Sequence, residues 1–171
     1  DGYMDLFNPS IGYDLLLMGQ QGGGFVDETL TRGLHHLWSS EGRRAQWSPT
    51  FTDLNADGRL DLLIRHGIRS VIGLRTTTTM AADLAYVQAA DGAMVRSWTP
   101  FSEPTDDGVS FAVGDLEGDG LPDAARDAQP GGSLFWGNLT PVEATTRRLT
   151  VRLAPTVSGS PATGAVLTGT C

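Results

Sequence analysis

Short apolar segments alternate with glycine-rich and acidic turns along most of the chain. The apolar stretches, such as Leu15–Met18, Leu62–Ile64 and Phe111–Val113, are only three or four residues long, which is strand length and too short for an amphipathic helix. The 171 residues include 22 Gly and 9 Pro without a collagen period, and this composition favours strands separated by frequent turns. The sequence therefore predicts an all-β fold.

The chain is acidic, and its acidic residues are concentrated. A net charge of −8 arises from 12 basic residues, all Arg, and 20 acidic ones. This balance argues against general nucleic-acid binding, because phosphate neutralisation needs a basic surface. Nine of the 20 acidic residues lie in three short segments, Asp1–Asp5, Asp53–Asp61 and Asp115–Asp123. Like charges crowded into a short loop are costly unless a cation offsets them, so these segments indicate bound metal.

The three acidic segments are copies of one pattern. Asp53–Asp61 reads DLNADGRLD (loop A), Asp115–Asp123 reads DLEGDGLPD (loop B), and Asp1–Asp5 reads DGYMD. Their Asp-Gly pairs are spaced by 56 and 62 residues, which is typical of a repeated supersecondary unit. The first copy has lost its front half, and we therefore interpret the chain as a fragment of a longer protein.

The spacing of oxygen-bearing side chains in these loops predicts a calcium site. In D-x-[DN]-x-D-G-x-x-D, side chains at positions 1, 3, 5 and 9 and the carbonyl at position 7 converge when Gly at position 6 permits a sharp turn. Hard oxygen ligands suit Ca²⁺. The predicted ligands are Asp53, Asn55, Asp57, Asp61 and the carbonyl of Arg59 in loop A; Asp115, Glu117, Asp119, Asp123 and the carbonyl of Leu121 in loop B; and Asp1 and Asp5 in the truncated copy.

The loops also partly match two other patterns, the EF-hand and the simple hairpin turn. An EF-hand needs a Glu at position 12 between two helices, whereas position 12 is Ile64 in one copy and Arg126 in the other, and the flanking segments are of strand length. An Asp-Gly pair also marks ordinary hairpin turns, as we expect for Asp91-Gly92. Two complete copies and one truncated copy favour calcium over a simple turn. Glu117 is longer than the usual Asp or Asn, so loop B is expected to be distorted or to bind through water.

The arrangement strand, DLNADGRLDLL, strand resembles the FG-GAP or VCBS repeat of integrin α-type β-propellers, in which each blade carries a calcium loop between its first two strands. Leu15–Phe25 is similar to the family's strand and Gly-rich turn that ends in Phe, and Leu134–Asn138 is similar to the start of the same element. The resemblance covers residues 1–140. It implies a partial β-propeller of antiparallel four-stranded blades, the first truncated, from a larger ring.

The last 31 residues, 141–171, resemble a different family. Arg148–Leu153, a Ser/Pro/Gly-rich turn and Thr163–Thr168 are similar to the opening of the ASPIC/UnbV domain, which follows the propeller in proteins similar to cartilage acidic protein. The Asn-Arg pair usual there is absent, and Ser160–Ala162 takes its place. The resemblance implies the truncated start of a second β domain.

No nucleophile elbow, phosphate loop, zinc motif or dinucleotide fingerprint occurs, so the chain is not expected to be an enzyme. The resemblance implies a calcium-binding propeller module of an extracellular or cell-surface protein, or of a periplasmic one. Its calcium would be structural, and its partners a protein or glycan ligand. No apolar run approaches the roughly 20 residues of a membrane span. The alternatives are a non-catalytic part of a secreted polysaccharide-acting enzyme, or a carbohydrate-binding propeller that uses Trp38, Trp47, Trp98 and Trp136.

Overall fold

The computed structural model describes residues 2–10, 13–34, 46–66, 83–97, 109–128 and 132–140. Asp1, Trp38, Trp98 and the segment 141–171 lie outside these ranges. Within them the regular structure consists of ten strands in three antiparallel sheets, without a helix. The predicted all-β class is therefore confirmed.

Each sheet is a meander in which strands adjacent in the chain pair with each other. Sheet 1 contains β1 (Leu6–Asn8), β2 (Leu15–Gly19) and β3 (Phe25–Asp27). Sheet 2 contains β4 (Gln46–Thr52), β5 (Asp61–His66), β6 (Leu84–Gln88) and β7 (Met94–Ser97). Sheet 3 contains β8 (Phe111–Gly114), β9 (Asp123–Ala128) and β10 (Gly132–Trp136).

A proline in strand β4 explains why this strand lies at the edge of sheet 2 and contains a bulge. It contains Pro49, which has no N–H to donate to a ladder and is therefore tolerated only at an edge or a bulge. Both conditions hold, since β4 is the first strand of sheet 2 and its register with β5 shifts between Trp47 and Thr50. Ser48 has a positive φ of 45° within that shift.

The three sheets stack face to face, with sheet 2 in the middle. Side chains of β5 alternate between the two faces of the sheet, so Leu62 and Ile64 pack with Phe7 of sheet 1, whereas Leu63 packs with Ala124 of sheet 3. Leu62, Leu63 and Ile64 are at most 1% exposed. The continuous apolar run of β5 is thus explained by burial on both faces.

Within the described residues, no helix is long and apolar enough to cross a membrane.

Candidate metal centre

Loops A and B occupy equivalent places in their sheets. Loop A connects β4 to β5, loop B connects β8 to β9, and Asp5 immediately precedes β1. The ninth residue of each complete loop, Asp61 or Asp123, is also the first residue of the following strand. The acidic segments therefore all lie at the entrance to the strand that opens a hairpin.

The first Asp of each loop organises the turn by accepting backbone hydrogen bonds. Asp53 accepts from the N–H groups of Asp57 at 3.1 Å and Gly58 at 2.8 Å. Asp115 in loop B accepts from the equivalent residues, Asp119 at 3.0 Å and Gly120 at 2.8 Å. The two loops thus share one backbone conformation despite different sequences.

Left-handed residues allow the chain to curl around these carboxylates. Position 6 is Gly58 or Gly120, with φ of 84° and 83°, a region that glycine enters without steric cost. Position 4 is also left-handed, at Ala56 with φ 59° and Gly118 with φ 77°. The fifth residue then accepts from the N–H of the seventh, at 2.9 Å in loop A and 2.7 Å in loop B.

The ninth Asp joins the loop to the neighbouring strand. One oxygen of Asp61 accepts from the N–H of Leu54 at 2.8 Å, and the other accepts from the N–H of Gln88 at 2.9 Å. The side chain is fully buried, with an exposed fraction of 0% for the residue. Both oxygens of Asp61 are therefore engaged by backbone N–H groups.

The same junction recurs in the other two sheets. Asp123 accepts from the N–H groups of Leu116 at 2.6 Å and Asn138 at 2.8 Å. Asp5, which is exposed, accepts from the N–H of Gly19 at 2.9 Å. The ninth position thus performs a structural task that the sequence pattern, interpreted only as a ligand set, did not predict.

The two loops differ in how Asp57 and its counterpart are neutralised. In loop A the guanidinium of Arg59 pairs with Asp57 and also donates to the carbonyl of Gln88 at 2.9 Å. The amide of Asn55 donates to the same carboxylate at 2.8 Å. In loop B the residue matching Arg59 is Leu121, which is 3% exposed and carries no charge.

The donor chemistry of both loops fits a hard divalent cation, since every predicted ligand is an oxygen. A carboxylate offers about four acceptor sites, so a backbone hydrogen bond does not prevent it from binding metal. Among the described residues, however, no three or more His, Cys, Asp or Glu side chains form a group that could hold a metal ion. Calcium ligation by Asp53, Asn55, Asp57 and their counterparts stays a prediction.

The two ninth-position carboxyl groups have opposite pKa shifts. Burial raises the pKa of Asp61 above its ordinary value of 3.8, against the hydrogen bonds from Gln88 and Leu54. The N–H groups of Asn138 and Leu116 lower the pKa of Asp123 below 3.8. The balance between desolvation and hydrogen bonding therefore differs between equivalent sites.

These directions give a testable pH dependence. The stability contributed by Asp61 should be full below pH 3.8 and should be lost as the pH rises through the pKa of Asp61 in the folded state. The stability contributed by Asp123 should be full above pH 3.8 and should be lost as the pH falls through the pKa of Asp123 in the folded state. In calcium-free buffer, carboxyl ¹³C shifts should titrate above 3.8 for Asp61 and below 3.8 for Asp123. Coincident midpoints would contradict this assignment.

A buried ionic cluster joins sheets 2 and 3. Asp83 accepts from Arg65 at 2.8 and 2.9 Å and from Arg126 at 2.7 Å. The three side chains are at most 2% exposed. The Arg126 guanidinium also lies 4.6 Å from the centroid of the Trp136 ring. This cluster was not predicted from the sequence, although Asp83-Leu84 repeats the Asp14-Leu15 pair at the start of β2.

Crevices lie beside the loops between successive sheets. One of 600 Å³ between sheets 1 and 2 is lined by Asp5, Arg59 and Phe51 among others. Another of 510 Å³ between sheets 2 and 3 is lined by Asn55, Trp136 and Asn138 among others. In the second, the side-chain amide of Asn138 donates to the Leu54 carbonyl at 2.9 Å.

No protein-family model, curated protein or solved structure matches the chain.

Proposed function

We propose that the chain is a calcium-stabilised module of a β-propeller of the FG-GAP/VCBS type, in an extracytoplasmic protein that serves adhesion or protein interaction. The observation that carries this proposal is the recurrence of one acidic loop at the same place in successive stacked sheets. In both loops the carboxylates at the first, fifth and ninth positions accept equivalent hydrogen bonds from backbone N–H groups. Meander sheets stacked in chain order are the arrangement expected of propeller blades.

Calcium would act as a structural counter-ion in this proposal. The ligands would be the side chains of Asp53, Asn55, Asp57 and Asp61 with the carbonyl of Arg59, and their equivalents in loop B. Bound metal would neutralise carboxylates that otherwise repel one another. The loop would then hold the entrance of β5 or β9 rigid, while the adhesive ligand, a protein or a glycan, binds elsewhere on the module.

The position of Trp136 favours this role over the carbohydrate-binding alternative. Its ring packs against the apolar cluster between sheets 2 and 3, and the Arg126 guanidinium lies over it. A sugar-binding tryptophan presents an open face for stacking, whereas the guanidinium of Arg126 lies over this ring at 4.6 Å from its centroid. We therefore assign Trp136 to packing between sheets.

Calcium titration of thermal unfolding tests the proposal. For sites with a Kd of about 10⁻⁴ to 10⁻³ M, 10 mM calcium should stabilise the fold by about 1.4 to 2.7 kcal/mol per site. The midpoint should rise by about 3 to 10 °C for each occupied site. Asp57→Ala should remove the part of the calcium-dependent rise in midpoint that comes from loop A, and Asp119→Ala the part that comes from loop B. Each substitution deletes a predicted central ligand.

Asp91→Ala is the matched control, since Asp91 lies in a hairpin turn and accepts from the N–H of Ala93 at 3.0 Å. This variant should keep the full calcium response. Magnesium, which demands stricter octahedral geometry, should give a smaller rise. An unchanged midpoint in calcium for the unsubstituted chain would overturn the proposal.

A further inference from the structure

Loops A and B carry different charges, although their backbones follow the same course. Loop A contains three carboxylates and one guanidinium, that of Arg59, and has a formal charge of −2. Loop B contains four carboxylates and no basic residue, and has a formal charge of −4. The seventh position, which is Arg59 in loop A and Leu121 in loop B, is therefore the place where the chain supplies its own positive charge to one loop only.

The side chain of Arg59 engages the fifth residue of its own loop. Its Nη2 pairs with Oδ2 of Asp57, and its backbone N–H donates to Oδ1 of the same carboxylate at 2.9 Å. Loop B has only the second of these two contacts, from the N–H of Leu121 to Asp119 at 2.7 Å. Both oxygens of Asp57 thus accept from Arg59, and the guanidinium contact is specific to loop A.

The same guanidinium ties loop A to the end of β6. The N–H of Gln88 donates to Asp61 at 2.9 Å, and the Gln88 carbonyl accepts from Nε of Arg59 at 2.9 Å. In sheet 3 the N–H of Asn138 donates to the ninth Asp of loop B, but the apolar side chain of Leu121 has no donor for a second bond. Arg59 therefore adds a link between loop and strand that loop B does not have.

The pair between Arg59 and Asp57 is accessible to ions in solution. The two side chains are 38% and 22% exposed, and exposed ion pairs are weak because water screens them. The buried pairs of Asp83, by contrast, have side chains that are at most 2% exposed. A cation that reaches Asp57 from solvent can therefore displace the guanidinium at a small cost.

We propose that the guanidinium of Arg59 is a built-in counter-ion of loop A, which orders this loop without metal and competes with calcium for Asp57. The part of this inference that concerns calcium rests on the proposed function. Two cations at one carboxylate repel each other, so calcium must either displace the guanidinium or bind against its charge. Loop A should therefore keep its order without calcium, and it should bind calcium more weakly than it would without Arg59.

A calcium titration that resolves the two loops tests the competition. The backbone amides of Gly58 and Gly120, the sixth residues of loops A and B, give separate signals in a ¹H–¹⁵N spectrum. Arg59→Gln removes the charge but keeps the backbone carbonyl that is a predicted ligand. The Kd of calcium measured at Gly58 should fall by about two- to fivefold in this variant, and the Kd measured at Gly120 should not change.

Arg96→Gln is the matched control for lost charge. Arg96 is exposed and lies on β7, opposite Tyr86 and outside both loops. Its substitution changes the net charge of the chain by the same amount, so the Kd at Gly58 should stay that of the unsubstituted chain. An unchanged Kd at Gly58 in Arg59→Gln, or an equal fall in both variants, would overturn the competition between Arg59 and calcium.

A second measurement needs no calcium. With a chelator present, the ¹⁵N order parameter of Gly58 should be lower in Arg59→Gln than in the unsubstituted chain, while that of Gly120 should be the same in both. An unchanged order parameter at Gly58 would refute the role of Arg59 as counter-ion. If calcium shifted neither glycine in any of the three chains, the proposed function would fail, and the chelator measurement would still decide whether Arg59 orders loop A.

Discussion

Replacing Asp83 with alanine is expected to lower the free energy of unfolding by about 3 to 5 kcal/mol, the typical cost of removing one partner from a buried ionic cluster. The side chains of Asp83 and Arg65 are 0% exposed and that of Arg126 is 2% exposed. The substitution leaves two guanidinium groups close together in the interior without their shared carboxylate. Urea denaturation at neutral pH measures the loss.

Glu28→Gln provides the matched control for Asp83→Ala. Glu28 pairs with Arg32 at 2.7 Å, but the two side chains are 32% and 28% exposed, and exposed pairs typically contribute about 1 kcal/mol or less. A second comparison replaces Arg65, Asp83 and Arg126 together with apolar residues, which should cost less than Asp83→Ala because no charge stays buried. Equal losses for Asp83→Ala and Glu28→Gln would contradict a structural role for the buried cluster.

Asp61→Ala is expected to lower the free energy of unfolding by about 2 to 4 kcal/mol, even without calcium. It deprives the N–H groups of Leu54 and Gln88 of their acceptor, and each buried donor left without a partner costs about 1 to 3 kcal/mol. Desolvation of the carboxylate offsets part of this. The measurement is urea denaturation with a chelator present, so that metal binding cannot contribute.

Asp5→Ala is the internal comparison for this prediction. Asp5 is exposed and accepts a single backbone hydrogen bond, from Gly19, so its removal should cost about 0.5 to 1.5 kcal/mol. The predicted order is Asp61 above Asp5, with Asp123, which accepts from Leu116, Glu117 and Asn138, close to Asp61. If Asp61→Ala had no effect without metal, its role in the fold would be refuted.

The sequence predicted the all-β class because its signals are local. Short apolar runs punctuated by Gly and Pro indicate strands, and the spacing in loops A and B requires a tight turn. The chain could not reveal that Asp61 uses both oxygens on backbone groups, because Gln88 lies 27 residues away. Nor could it reveal the cluster at Asp83, whose partner Arg126 lies 43 residues away. Such contacts depend on how sheets stack.

The junction at the ninth Asp confines length variation to one end of the stack. At the acidic end, β4 to β5 and β8 to β9 are each joined by eight residues, 53–60 and 115–122, and both hairpin turns have five. At the opposite end, the corresponding connections run over residues 9–14, 67–83 and 129–131, which is six, seventeen and three residues. Connection length is therefore constant at the acidic end of the described sheets and varies at the opposite end, so the acidic loops and hairpin turns act as fixed spacers between strands.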